Sequence, residues 1–212
     1  MKGFFKLFMQ IIDDDYREFM HLTEQHMRPD VYRCLYMITF GLRRGEAYGL
    51  TQRNIRFLPS GHARLDIKIS RTRDYPEGKS VKSSASNRIV VVNETVAQLL
   101  NNQITETKSL MASENKILGI DDFIFISPVT KQPYHIKTLN DWMQKIGDMM
   151  EITITPHMFR HTFASYASAL GIDNLQLQRY LGHSDIDMTA HYTKGLEIVA
   201  EIVLNVVDGF WK

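Results

Sequence analysis

The sequence predicts an α+β fold, mainly helical with a small antiparallel β-sheet, and three observations carry this. Both ends of the chain show apolar residues at helical spacing behind capping residues. The middle switches to the alternation and β-branched content of strands in "HARLDIKIS" and "NRIVVV". Between those two runs Asp74, Pro76 and Gly78 supply a turn region, so the strands pair as a hairpin.

In chain order, Asp13, Asp14 and Asp15 cap a helix that runs to Met27, and Pro29 stops it. A second helix follows from Asp30 to Phe40, Gly41 breaks it, and "RRGEAYGL" restarts a short one. From Arg53 the hairpin takes over, with long arginine- and lysine-rich connections. Asn93 then caps a helix to Leu110, "DDFIFIS" gives a short strand, and Thr138 to Met150 is a further helix. The rest is helical, punctuated by Gly171, Gly182 and Gly195. No internal repeat, low-complexity segment or linker interrupts this order.

With 212 residues and 44% hydrophobic composition, the chain can bury one sizeable core or two small ones. Its single cysteine, Cys34, falls in an apolar helical context, which excludes a disulfide framework and suits a reducing compartment. The apolar runs are too short to span a bilayer, and "MKGFFKLFMQII" lacks the apolar length and cleavage site of a signal peptide. The expected location is the cytoplasm, with no membrane partner.

A net charge of +1 hides an uneven distribution. Residues 1–42 hold 5 Lys+Arg against 6 Asp+Glu, residues 43–88 hold 11 against 4, and residues 89–212 hold 9 against 14. The middle block is therefore +7 (11 minus 4), flanked by −1 and −5. A stripe this basic is what a phosphate-facing surface needs, although a solvated face would also account for it.

The stretch "ITPHMFRHTFASYASALG" concentrates functional groups at one helix start. Thr155 offers a capping hydroxyl and Pro156 suits the first helical position. His157 and Arg160, three apart, project from one face at the positive end of the helix dipole, which attracts anions. His161, four from His157, also permits a metal pair completed by His183 or His191. That reading lacks the glutamate of a zinc hydrolase helix, and an arginine beside a dication is repelled. The bland alternative is two hydrogen-bonded structural histidines. Elsewhere, "GLRRGE" sets Arg43 after a glycine break with Glu46 one turn on, which an ordinary helical ion pair would also explain. "KSSASNR" places Lys82 at the mouth of a strand, "LGHSD" presents His183 after a helix, and "TAHYTK" offers Tyr192.

Arg, Lys, His-x-x-Arg, His and Tyr in this order resemble the tyrosine recombinase family, the phage integrases. The resemblance covers essentially the whole chain as that family's catalytic domain, and rests on "GLRRGE", "KSSASNR", "HMFRHTFAS", "LGHSD" and "TAHYTK". It implies a site-specific recombinase that cuts double-stranded DNA at attachment sites through a 3′-phosphotyrosine intermediate and rejoins it, integrating or excising a phage or mobile element without metal, ATP or cofactor. Tyr192 is then the nucleophile, and Arg43 and Arg160 clamp the phosphate, with His183 as a further donor. Lys82 is the general acid on the leaving 5′ oxygen, with Lys79 in the same connection as the alternative, and His157 takes the tyrosine proton or donates to the phosphate. Glu46 holds Arg43 in place.

Two departures, Phe40 before the arginine motif and "IVVV" where the family often ends in Ile-Pro-Leu, do not touch this chemistry. The family's N-terminal core-binding and arm-binding domains do not fit in the roughly 30 residues before the first motif, so residues 1–212 are expected to be the catalytic domain and to bind DNA weakly alone. Leu196, Val199, Ile202, Val203 and Val206 form an apolar helical stripe. Either it packs on its own core or, with Gly195 as hinge, residues 195–212 dock on a neighbouring protomer in a DNA-bound tetramer that is monomeric when free. Accessory DNA-bending or directionality factors belong to the same expectation. The alternatives are a catalytically silent DNA-binding module, a type IB topoisomerase-like relaxation of one strand and, poorest, a metal-dependent nuclease using the acidic run at 13–15.

Overall fold

Helix α1 covers residues 15–26 and α2 follows as Pro29–Thr39 in the computed structural model, which describes residues 15–81 and 87–182. α1 ends at residue 26, short of Pro29 as expected, and Pro29 itself begins α2, one residue earlier than the expected Asp30, at the first-turn position where a missing N–H has no helical partner to lose. The Asp30 carboxylate accepts from Arg28 Nε at 2.6 Å and Nη2 at 2.8 Å, and from the Tyr134 hydroxyl, which ties the helix start to a distant loop. Gly41 turns the chain into α3, Arg44–Tyr48, at a φ of +85° that a side chain would strain.

A short 3₁₀ turn, Gln52–Asn54, leads into five strands: β1 (Ile55–Phe57), β2 (Ala63–Ile67), β3 (Ile69–Ser70), β4 (Lys79–Ser80) and β5 (Arg88–Val92). They form two antiparallel sheets, β1-β2-β5 and β3-β4. The expected pairing of the two alternating runs is the β2–β5 ladder, with Leu65 opposite Val90 and Ile67 opposite Arg88. "HARLDIKIS" does not run through as one strand. After Ile67 the chain changes partners, Lys68 accepting from Val81 N at 3.0 Å, so that β3 pairs with β4 instead. β5 is a sheet edge, yet all five of its residues are buried because α7 packs against it.

Asn93 caps α4, Glu94–Ser113, its side chain accepting from Val96 N at 3.1 Å. Val96, Ala97, Leu100 and Ile104 turn one helical face into the core. The strand expected from "DDFIFIS" is not present; the segment makes only isolated bridges, Thr51 with Phe123 and Ile126 with Pro133. The reason lies in a neighbouring helix. The Ile124 carbonyl is taken by the side chains of Gln103 and Thr107, at 3.1 and 2.7 Å, in place of a strand neighbour.

Helices α5 (Thr138–Met149), α6 (Pro156–Ala169) and α7 (Asn174–Leu181) complete the described residues. α2 is the central element, packed by α4, α5 and α6, and its Val31, Cys34, Leu35, Met37 and Ile38 are buried. Burial holds the Cys34 thiol well above its ordinary pKa, so it behaves as a small apolar residue. Among the described residues no helix is long and apolar enough to cross a membrane. The acidic run at 13–14 and the apolar stripe of 195–212 lie outside the described residues.

Candidate active site

Arg43 is the N-cap of α3, and Glu46 at the third helical position reaches back to it. Glu46 Oε2 accepts from the Arg43 backbone N at 2.7 Å, and Oε1 from Arg43 Nη1 at 2.8 Å. A second arginine completes the arrangement. Arg88, at the head of β5, donates Nη1 to Oε1 at 2.9 Å and Nη2 to Oε2 at 2.8 Å. Glu46 and Arg88 are each 1% exposed, whereas Arg43 is 41% exposed. Burial alone would raise the Glu46 pKa; the charge and hydrogen bonds of Arg88, then those of Arg43, overcome it and hold the carboxyl at about 2.

Gly45 lets β3 approach α3 closely. A Cβ there would meet the Arg71 carbonyl oxygen at 2.4 Å and Ser70 Oγ at 2.6 Å, and the Gly45 carbonyl accepts from Arg71 N at 2.9 Å. This contact brings the end of β3 beside the arginine motif. Arg71 itself is committed to structure, donating to the Pro76 and Tyr134 carbonyls at 2.6 and 3.1 Å.

Thr155 occupies the N-cap of α6, but its hydroxyl makes no capping bond, contrary to the sequence expectation, and Pro156 follows in the first turn as expected. One turn further, Arg160 is 5% exposed and donates Nη1 to the Gly41 carbonyl and Nη2 to the Leu181 carbonyl. Burial first, then the positive charges of Arg88 and Arg43, lower Arg160 to about 9, so it remains a cation at neutral pH. α7 ends at Gly182 in the left-handed conformation, φ 70°, and the Gly182 carbonyl accepts from Arg43 Nη2 at 2.8 Å. Arg43 and Arg160 thus hold the last two carbonyls before His183.

His157 lies at the exposed start of α6, its Nε2 2.8 Å from Nε2 of His161 with the rings edge-on at 4.3 Å. A hydrogen bond between two imidazole nitrogens requires at least one neutral ring. Partial burial, then His161, Arg160 and Arg43, lower the His157 pKa below its ordinary 6.5. In an NMR titration His157 is therefore expected to titrate with a midpoint below 6.5, and His161→Ala to shift that midpoint upward. A His157 midpoint above 6.5 contradicts this environment.

Arg43, His157 and Arg160 open onto one groove of about 540 Å³, together with Arg44, Arg71 and Arg73, and among the described residues no carboxylate lines it. Arg44 is steadied by Asn140 of α5. Of the residues that sequence reasoning singles out, Lys82, His183 and Tyr192 lie outside the described residues. Lys79 is described; its Nζ sits 4.1 Å from the centre of the Tyr75 ring on the β3–β4 hairpin, away from the groove lining. Arg88 is the residue sequence reasoning missed. Its only signal is a charge heading an otherwise apolar strand, "RIVVV", which reads equally well as a solvated strand end.

The profile of the phage integrase family matches residues 10–197. A resolvase of Escherichia coli (strain K12) is 25% identical over 205 residues, 88% of this chain and 74% of that protein. Tyrosine recombinase XerD of Oceanobacillus iheyensis is 31% identical over 113 residues, 51% of this chain and 36% of that protein. Tyrosine recombinase XerA of Thermococcus onnurineus is 43% identical over 58 residues, 27% of this chain and 21% of that protein. Among solved structures, the Tn1549 transposon integrase in complex with circular intermediate DNA superposes with a TM-score of 0.65 at 22% identity, covering 89% of this chain and 64% of that one. XerA recombinase superposes at 0.58 and 17% identity, covering 93% and 60%. The chain thus spans less than two thirds of either solved structure, and the likeness to both is one of fold. With the family profile running from residue 10 to residue 197 of 212, the chain belongs to the phage integrase family.

Proposed function

We propose that the chain is the strand-cutting domain of a site-specific DNA recombinase that forms a 3′-phosphotyrosine at Tyr192 and rejoins the strand to a new 5′-hydroxyl. The observation that carries this reading is the arginine-rich groove that holds Arg43, His157 and Arg160 together. Five guanidiniums, Arg43, Arg44, Arg71, Arg73 and Arg160, line the groove, and no carboxylate stands among its described lining residues. A phosphodiester brings one negative charge, and the five-coordinate state formed as the tyrosine attacks brings two. A positive groove therefore stabilises the transition state more than the bound substrate, which is the condition for catalysis.

Of the five N–H donors on each groove guanidinium, Arg43 and Arg160 each engage two with protein acceptors, which leaves the others for the non-bridging oxygens. In this mechanism the Tyr192 hydroxyl loses its proton to neutral His157 as its oxygen bonds to phosphorus. The bond to the 5′ oxygen breaks and that oxygen takes a proton from Lys82, while His183 donates a hydrogen bond to the phosphate. The reverse sequence with a second strand's 5′-hydroxyl restores the diester, so the bond energy is conserved and no ATP is needed. Double-stranded DNA is the partner; a tetramer on DNA, exchange of residues 195–212 between protomers and accessory DNA-bending or directionality factors belong to the same proposal. The Tn1549 integrase structures, which hold transposon DNA, favour it over a silent binding module or a topoisomerase.

The acid assignment has a direct test. On a nicked duplex Lys82→Ala is expected to cleave about 10²- to 10⁴-fold more slowly than the parent chain. Replacing the leaving 5′ oxygen by sulfur, whose thiolate departs unprotonated, is expected to restore the rate. Lys79→Ala is expected to cleave both substrates normally. A defect in Lys79→Ala rescued by sulfur moves the role to Lys79; no sulfur rescue of either variant rejects lysine acid catalysis.

A further inference from the structure

Each oxygen of Glu46 joins one arginine to another. Oε1 accepts from Arg43 Nη1 and Arg88 Nη1 at 2.8 and 2.9 Å; Oε2 accepts from the Arg43 backbone N and Arg88 Nη2 at 2.7 and 2.8 Å. Arg88 is buried beside the carboxylate and does not line the groove. A buried ion pair adds little stability over an apolar replacement, and its better-attested use is to fix geometry. Here the geometry has a chemical consequence. A carboxylate released from Arg88 could turn and take both Nη atoms of Arg43 in a fork, the same fork that an anion needs. With Arg88 on both oxygens, Glu46 holds only Nη1 of that guanidinium and Arg43 Nη2 meets the Gly182 carbonyl.

We infer that Arg88 is a positioning residue for strand cleavage: by engaging both oxygens of Glu46 it fixes the carboxylate plane, so that Arg43 is oriented yet keeps donors open to the scissile phosphate. The inference rests on the phosphodiester-cutting reading above. It assigns a function to a residue that does not line the groove.

The experiment measures single-turnover cleavage of a nicked duplex by Arg88→Lys and Arg88→Met, with folding checked by circular dichroism, in the parent chain and in an Arg43→Lys background. Misplacing Arg43 is expected to slow cleavage about 10²-fold in Arg88→Met and about 10-fold in Arg88→Lys, which keeps the charge but not the fork. In the Arg43→Lys background the further loss is expected to shrink to less than about threefold, because the two residues act in series. A merely structural role predicts losses that multiply. Folded variants that cleave at the parental rate, or losses that multiply, overturn the inference. If neither single variant folds, the neutral pair Arg88→Gln with Glu46→Gln replaces them, and a parental rate from it overturns the inference equally. If the parent chain itself fails to cleave, the phosphodiester-cutting reading falls separately. The relay is then read by hydrogen exchange at the Arg43 guanidinium, which must accelerate in Arg88→Lys for the positioning role to stand.

Discussion

Glu46→Ala is expected to lower stability by about 3–5 kcal/mol, the cost of leaving a buried charge without its partner. For a chain of this size that corresponds to a fall in Tm on the order of 10 °C. The carboxylate sits 1% exposed between Arg43 and Arg88, and its removal takes from the buried Arg88 the carboxylate that faces both its Nη atoms. The pH dependence follows from the direction of the shift. Glu46 is held at about 2, below its ordinary 4.5, so its contribution is fully present above pH 4.5 and is lost as the pH falls toward 2. Urea melts between pH 2 and 7 should show the parent chain losing stability across that window and Glu46→Ala losing less. Equal stability of parent and variant at pH 7, or identical acid limbs, would mean that the buried trio does not form in solution.

Arg160 substitutions carry the second large effect, and they act on two properties at once. Arg160→Ala removes a groove cation, with an expected loss of about 10²- to 10³-fold in cleavage, the usual cost of one transition-state donor. It also leaves the Gly41 and Leu181 carbonyls without their guanidinium, at about 1–3 kcal/mol for each group that stays dry. Arg160→Lys separates the two properties. An ammonium can carry the charge but cannot span two carbonyls and a phosphate in one plane, so the lysine variant should still cleave at least about 10²-fold more slowly. Single-turnover rates taken below the melting transition of each variant measure this. An Arg160→Lys enzyme at the parental rate would remove Arg160 from the clamp and leave it a purely structural tie.

These expectations depend on residues that were unequally legible in the sequence. Local signals held where the structure they dictate is local: Gly41 turns the chain, Asn93 caps α4, Pro156 opens α6, and the alternation of "RLDI" and "RIVVV" becomes the β2–β5 ladder. Local signals failed where a distant group intervened. The Ile124 carbonyl was taken by Gln103 and Thr107 of α4, so "DDFIFIS" forms no strand. Strand β1 is three residues long, too short for alternation to register. In the site, the i to i+3 spacing placed His157 and Arg160 on one face, and the groove contains both. Arg88 was illegible because its meaning lies in Glu46, 42 residues away, and no spacing rule joins a strand head to a helix turn.

The most direct test of the central claim mixes the protein in EDTA with a nicked suicide duplex carrying the element's end, beside Tyr192→Phe. Denaturing electrophoresis resolves the products, and mass spectrometry of the digested adduct identifies the linked residue. A slower-migrating covalent band is expected from the parent chain, with the 3′-phosphate linked to Tyr192, and no band from Tyr192→Phe. A band that survives the substitution, or an adduct mapped to another residue, would contradict the claim.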